Sequence, residues 1–225
     1  MKYVSFLKSA SGPASALTII SVTLLLFKML YLNKFPAIFP GAYELGVIVE
    51  AVLASVIASY IFYLIVVHTK EVSDKDTIRP YVTKHSQRLV NNCNDLIDQF
   101  SKLARVKLDT KALDSQELEK ALSKISPRGQ APLVFHSGAY ANWIEYIKYS
   151  LERSSDTIRK LFDKIIFLDA ELVSILTEID DCDFIAMMSH IPSAEHFRNT
   201  GLEFLSGSML RYVQACQKLE AYLKK

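Results

Sequence analysis

Two long apolar runs lie in the N-terminal third of the chain. Residues 9–27 contain no ionisable side chain, and residues 51–67 contain no Asp, Glu, Lys, Arg or His. About 20 apolar residues in an α-helix cross the roughly 30 Å hydrocarbon layer of a bilayer. The pattern therefore predicts two transmembrane helices, near residues 14–33 and 44–67. The alternative for the first run is a cleaved signal peptide, but no small-residue cleavage site follows Phe27 in this sequence. The alternative for the second run is a buried core helix of unusual length.

The segment between the two predicted helices is short and turns the chain back. Pro36, Pro40 and Gly41 prevent either helix from continuing through it. The two helices should then form an antiparallel hairpin, with both chain termini on the same side of the membrane. Basic residues are frequent on that side (Lys2, Lys8, Lys70, Lys75, Arg79 and Lys84), and the loop holds only Lys34. The positive-inside rule predicts a multi-pass protein with both termini in the cytoplasm.

Two charged residues and a stripe of small residues lie within the predicted spans. Lys28 and Glu50 fall at similar depths near the outer end of the hairpin. Either Lys28 reaches the outer interface and pairs with Glu50, which fixes the hairpin, or Glu50 lines a polar path through an oligomer. Small residues recur at every fourth position of the second helix, at Ala51, Ser55 and Ser59. Such a face allows close helix packing, either within the hairpin or between chains.

The remaining residues, 71–225, have the periodicity of long helices. Apolar residues follow one another at steps of three and four along 138–180, with Ser154 in the one polar position. The same spacing recurs along 202–223 and, less regularly, along 82–103. These stripes are wide, which favours a helical bundle over a free coiled coil. The predicted fold is an all-α membrane protein with a transmembrane hairpin in residues 1–70 and a cytoplasmic bundle in residues 71–225.

Two shorter features interrupt this second part. A short helix is predicted over 115–125, where Asp114 and Glu117 have the spacing of a capping box. The stretch 126–132, with two prolines and a glycine, should break the chain before the long helix begins.

The composition agrees with a few long helices. The chain of 225 residues is 50% hydrophobic and 22% charged, and it contains only 7 Gly and 7 Pro. Folds with many turns, such as β-sandwiches and nucleotide-binding α/β folds, need more of both residues. The net charge is +2, and charges nearly balance after residue 70. We therefore expect no direct sequence-specific binding of nucleic acid, although a local basic patch is left open.

No pattern typical of an enzyme is recognisable. The sequence contains no glycine-rich phosphate loop and no G-x-S-x-G motif. Cys93, Cys182 and Cys216 form no C-x-x-C pair and are expected to be free thiols in the core. His190 and His196 lie near an acidic run that begins at Asp180, where a metal or proton-linked site competes with a solvated helix junction. We predict no catalytic residue, cofactor or metal.

Three classes of function follow from these observations. The first is a membrane effector whose hairpins assemble and perturb the membrane. The second is a non-enzymatic membrane-tethered adaptor or signalling scaffold that docks a cytosolic partner through its bundle. The third is a membrane-bound enzyme with an unrecognised site. A simple anchor needs neither Glu50 nor the small-residue stripe, which favours the effector and a homo-oligomer.

A resemblance bears on this choice. The segment Phe35–Glu44 (FPAIFPGAYE), continued by Leu45–Gly46, Ser59–Tyr63 and Val66–His68, resembles the two-transmembrane effector proteins that accompany the reverse transcriptase of bacterial retron anti-phage systems. It covers about the first 70 residues and includes no catalytic motif. It implies an abortive-infection role at the bacterial inner membrane. In such systems the reverse transcriptase and its RNA–DNA would hold the effector silent, and phage attack on a host nuclease complex would release it.

Overall fold

A computed structural model describes residues 11–36, 39–191 and 199–225. Lys2 and Lys8, which contribute to the predicted orientation, and His196 lie outside these residues. The chain divides into two compact units, Met1–Thr77 and Ile78–Lys225. The described part of the chain is mostly helical.

The first unit is built on two long apolar helices, α1 (Gly12–Leu30) and α2 (Ala42–Phe62). Pro13 lies in the first turn of α1, where the missing N–H of proline is no loss. A 3₁₀ turn at Leu32–Lys34 follows α1, and Gly41 precedes α2 with a φ of +92°, a conformation that favours glycine. Both helices are long and apolar enough to cross a membrane.

The second helix does not end where the apolar run ends. It passes into a π-helical turn at Tyr63–His68 and then directly into α3 (Thr69–Ala104). The unit boundary after Thr77 therefore falls inside a helix, near Pro80, rather than in a loop. Near residue 67, where the second transmembrane helix was predicted to end, the chain changes helix type instead.

The second unit surrounds a single hydrophobic core. Its elements after α3 are a 3₁₀ turn, α4 (Ser115–Leu122), β1 (Gln130–Val134), β2 (Tyr140–Asn142), α5 (Trp143–Phe162), α6 (Ala170–Asp180), α7 (Asp183–His190) and α8 (Ser206–Leu223). The α4 start is as predicted, because the Asp114 carboxylate accepts a hydrogen bond from the Gln116 N–H. A reciprocal capping box opens α5, between Asn142 and Glu145.

The all-α prediction is wrong in one place. β1 and β2 form an antiparallel hairpin, with Gln130 opposite Asn142 and Val134 opposite Tyr140. The predicted chain break at 126–132 therefore includes the start of a strand. The turn between the strands uses Gly138 at a φ of +81°, a conformation that is strained for other residues. A two-stranded hairpin is stable here because Ala131 and Ala141 bury their side chains in the unit.

The single long helix predicted over 138–180 is also wrong, because the chain forms two helices there. α5 ends at Phe162, a 3₁₀ turn follows at Ile165–Phe167, and α6 begins after Asp169, whose carboxylate accepts from the Leu172 N–H. This cap starts a new helix. As a result Ile165 is exposed, although the heptad pattern predicted it to be buried. Its neighbour Ile166, one of the additional apolar positions that widen the predicted stripe, has 78% of its surface exposed.

At the end of α3 the buried face also departs, by one residue, from the predicted heptad pattern. Leu89, Cys93, Leu96 and Phe100 are buried as predicted, but Leu103 is 49% exposed and its neighbour Ala104 is buried instead. A straight α-helix has 3.6 residues per turn, so a heptad spacing drifts off the core face over several turns. The predicted apolar positions from Leu202 to Leu219 are all buried, although α8 begins only at Ser206, and Leu223 is partly buried.

Candidate functional site: the paired apolar helices

A charged cluster joins the loop-proximal ends of α1 and α2. The Lys28 Nζ lies 2.8 Å from a carboxylate oxygen of Glu50 and donates a hydrogen bond to the Gly46 carbonyl at 2.6 Å. The Lys28 side chain is 16% exposed, and the Glu50 side chain is 35% exposed. The structure thus brings the two predicted intramembrane charges together within one chain.

Gly46 makes this approach possible. A Cβ at this position would lie 3.1 Å from the Lys28 Nζ and 3.2 Å from its Cε. Because glycine has no side chain, the ammonium group reaches the α2 backbone and acquires a carbonyl acceptor beside the carboxylate. Sequence reasoning missed this residue, whose only signal was its position one turn before Glu50.

A second polar contact ties the opposite ends of the two helices. The hydroxyl groups of Ser15 and Tyr60 lie 2.6 Å apart. With the Lys28 cluster at one end and this contact at the other, the antiparallel register of α1 and α2 is set by polar groups at both ends.

The face of α1 that contacts α2 is small and polar, a feature that sequence reasoning also missed. Ala14, Ser15, Thr18 and Ser21 follow one another at helical spacing and are less exposed than the large apolar side chains around them. The hydroxyl groups of Thr18 and Ser21 donate to carbonyls of their own helix, those of Ala14 and Leu17. The signal was present as small residues recurring every third or fourth position of α1.

The predicted packing face of α2 points elsewhere. Ala51, Ser55 and Ser59 are all exposed, whereas Leu53 and Ile57 are partly covered, as are Gly46, Glu50 and Tyr60. At about 100° per residue, the small stripe lies roughly half a turn around α2 from the face on α1. The Ala51–Ser55–Ser59 stripe is therefore not used within this pair.

The cysteine thiols of the second unit lie in surroundings that suit core packing rather than reactivity. Its three cysteines are buried free thiols. A hydrogen bond with Cys216 and burial raise the pKa of the Cys93 thiol, and burial raises the pKa of Cys182. Thiols with raised pKa values are poor nucleophiles at neutral pH, because the thiolate is the reactive form.

The acidic run near Asp180 has ordinary partners as well. Asp183 forms an ion pair with Arg211 at 2.7 Å, and His190 is exposed at the end of α7. Burial and the neighbouring Asp181 carboxylate raise the pKa of Asp180. Among residues 11–36, 39–191 and 199–225, no three His, Cys, Asp or Glu side chains are grouped closely enough to hold a metal ion.

Comparison with known proteins adds no relative. No family model, no curated protein and no solved structure matches the chain.

Proposed function

We propose that α1 and α2 enter a bilayer as a transmembrane hairpin and that the chain is a membrane-perturbing effector of a bacterial anti-phage system. The hairpin would lie in the inner membrane with both termini in the cytoplasm, and the second unit would receive the signal. The retron and abortive-infection context derives from the resemblance of residues 35–68 to two-transmembrane retron effectors.

One observation carries the membrane assignment: the large apolar side chains of α1 and α2 are exposed along both helices. They include Ile19, Phe27 and Phe62, and the last of these is 63% exposed. Soluble monomers rarely expose a continuous apolar patch of more than a few hundred Å². Lipid is the surrounding that matches such a surface over two helices of this length.

The polar groups of the pair also suit a bilayer. Lys28 has both a carboxylate and a carbonyl partner, and the serine and threonine hydroxyl groups of α1 are bonded to carbonyls. Groups satisfied in this way can enter hydrocarbon at a cost of a few kcal/mol, whereas unsatisfied ones are excluded.

The outward stripe on α2 supports assembly of several chains. Within lipid, helices associate through close packing at small residues rather than through the hydrophobic effect. Ala51, Ser55 and Ser59 present such a surface away from α1. In the proposed effector, the partner reverse transcriptase with its RNA–DNA keeps hairpins apart, and release allows these stripes to pack between chains.

The test is to fill the stripe. Ser55→Leu should abolish killing and loss of membrane potential on induced expression, while carbonate-resistant membrane insertion stays unchanged. The matched control is Ala54→Leu, because Ala54 is also small and exposed but lies about a quarter turn away. Full toxicity of Ser55→Leu, or equal loss in the control, would remove the assembly face from the proposal.

A membrane-tethered adaptor is the second candidate. It is favoured by a groove of about 300 Å³ between α5 and α7, with Leu151, Ile185 and Met188 among its lining residues, since apolar grooves on helical bundles accept partner helices. Induced expression distinguishes the two roles: an effector depolarises the cell, and an adaptor leaves the membrane potential intact.

A further inference from the structure

A second groove of the Ile78–Lys225 unit is rich in basic and amide side chains. It lies between α3 and α5, has a volume of about 440 Å³, and is lined by Lys84, Arg88, Asn92, Asp95 and Arg153 among others. The positions 84, 88, 91, 92 and 95 recur at helical spacing, so they form one stripe along α3.

The two helices run antiparallel beside this groove. Phe100, near the end of α3, packs against Trp143, at the start of α5, with ring centroids 5.3 Å apart. Arg153 of α5 lines the groove with Asn92 of α3. Two turns further along α5, the charge of Lys160 lowers the pKa of His85 on α3. The basic side chains of α5 therefore face those of α3 along the seam.

The positive charges of the groove are not neutralised by ion pairs. Within the described part of the chain, no carboxylate oxygen lies within 4.0 Å of a charged nitrogen of Lys84, Arg88 or Arg153. Burial, followed by the charges of Arg88, Lys160 and Lys84, lowers the pKa of His85. The field is therefore positive at this end, while Asp95 lies towards the other end.

A buried amide in the groove lacks an acceptor. Asn92 is 8% exposed, and its Nδ2 has no hydrogen-bond partner among the described residues. A buried donor without an acceptor is destabilising, because it has lost its hydrogen bonds to water. An anionic oxygen in the groove, reached by rotation of the amide, would supply that acceptor.

Aromatic rings accompany the basic residues on both helices. Tyr81 packs against His85 with centroids 4.2 Å apart, and the Arg153 guanidinium lies 5.7 Å from the centre of the exposed Tyr149 ring. Basic grooves flanked by aromatic side chains are typical of proteins that bind single-stranded nucleic acid, because the bases stack while the cations hold the phosphates.

We propose that the groove between α3 and α5 binds the phosphodiester backbone of single-stranded nucleic acid without reading its sequence. Arg88, Arg153 and Lys84 would contact phosphate oxygens, Asn92 would donate to one of them, and Tyr149 would stack on a base. Every residue involved belongs to the second unit, so the inference does not depend on the membrane function proposed above.

The test uses the full chain in nanodiscs of zwitterionic lipid and a fluorescent oligo-dT of about 20 nucleotides, which is longer than the roughly 4–16 nucleotides that one single-strand-binding module contacts. Anisotropy is followed between about 50 and 200 mM salt. Arg88→Gln/Arg153→Gln should weaken binding at least tenfold at the lower salt concentration. It should also make the slope of log K against log salt shallower by about 1.4, since each phosphate contact on a single strand contributes about 0.7.

Two controls make the result specific. Lys111→Gln/Lys120→Gln removes the same charge from exposed positions outside the groove and should bind as the unaltered chain does. Arg88→Lys/Arg153→Lys keeps the charges and should keep most of the salt dependence. Circular dichroism shows whether each variant is folded.

Tyr149→Ala separates nucleic acid from other anions. It should lower affinity for oligo-dT several-fold and leave inorganic polyphosphate binding unchanged. Absence of oligo-dT binding at the lowest salt, or an equal loss in the Lys111/Lys120 control, would overturn the proposal. So would a result in which the Arg88/Arg153 variant loses binding to vesicles of anionic lipid but binds oligo-dT normally, because the groove would then be a lipid headgroup site.

Discussion

Neutralising Glu50 alone is expected to weaken the α1–α2 pair more than neutralising Glu50 and Lys28 together. In Glu50→Gln the Lys28 ammonium keeps the Gly46 carbonyl but loses the carboxylate 2.8 Å away. Lys28→Met leaves Glu50 charged without its partner. Breaking a buried ion pair from one side leaves an uncompensated charge, whereas replacing both partners by uncharged groups is often close to neutral.

The magnitude follows from the geometry of the pair. Two unit charges at this distance attract by about 6 kcal/mol at an effective dielectric constant of about 20, and most of that is offset by their lost hydration. Because Glu50 is about a third exposed, we expect about 2 kcal/mol of weakening for each single variant. The double variant should lose about 1 kcal/mol, which gives a coupling energy of about 3 kcal/mol.

The measurement is a double-mutant cycle in mixed SDS micelles. Opening of the helix pair is followed by energy transfer between dyes on Ser11→Cys and Thr69→Cys, two exposed positions, while the native cysteines are buried. A coupling energy below about 0.5 kcal/mol would refute the reasoning, since it would mean that the two charges act independently. Unaltered ion leakage and killing by Glu50→Gln would in addition exclude a polar path through that carboxylate.

Three further predictions concern the second unit. Tyr212→Phe removes the hydrogen bond from the buried phenol to the Ser154 hydroxyl and should lower the free energy of unfolding in urea by about 1 kcal/mol; no change would mean that this bond adds nothing. Asn142→Ala removes the cap of α5 and should cost about 1 kcal/mol, seen as a lower thermal midpoint that Asn142→Asp largely restores. Burial opposes ionisation of Asp169, but hydrogen bonds from the Tyr222 hydroxyl and from backbone N–H groups outweigh it and lower the pKa of Asp169. Burial and the Asp169 carboxylate raise the pKa of Tyr222 to about 12. Stability from this contact should be full between about pH 5 and pH 10, then decline in acid through the lowered pKa of Asp169 and in alkali between about pH 10 and 12. A pH series of thermal midpoints that is the same in Asp169→Asn would contradict this assignment.

Helices whose apolar residues keep a regular spacing are predictable from the sequence. The buried side chains of α8 were identified by spacing alone, because one face of that helix carries the apolar residues. The same pattern failed at Ile165, where the heptad spacing continues through a helix end. The signal that outweighed it was local: Asp169 precedes Ala-Glu-Leu and caps a new helix.

The β-hairpin was missed for a related reason. Strands of five and three residues are too short for an alternating pattern to be recognised between two helices. The Ser137–Gly138 pair was a usable turn signal. The prediction of an all-α fold did not use this turn signal together with the apolar residues on either side of it.

The polar contacts of the helix pair were partly predictable. Equal depth in a hairpin brings Lys28 and Glu50 together, and their separation agrees with that interpretation. The participation of Gly46 depends on how closely two helix axes approach, which no sequence spacing specifies. The hydroxyl-rich face of α1 is visible in the sequence as small residues at helical spacing, the same pattern that indicates a packing face on α2.

The continuous helix at the boundary has a practical consequence for isolating the second unit, which is about two thirds of the chain. No loop separates the units, because the boundary after Thr77 lies within α3. Limited proteolysis should therefore cut poorly there, since a protease needs an extended substrate. In a shortened polypeptide the helix can start at Pro80, because proline is well suited to the first position of a helix. A fragment of the second unit for crystallisation would accordingly begin at Ile78, with Arg79 in the capping position.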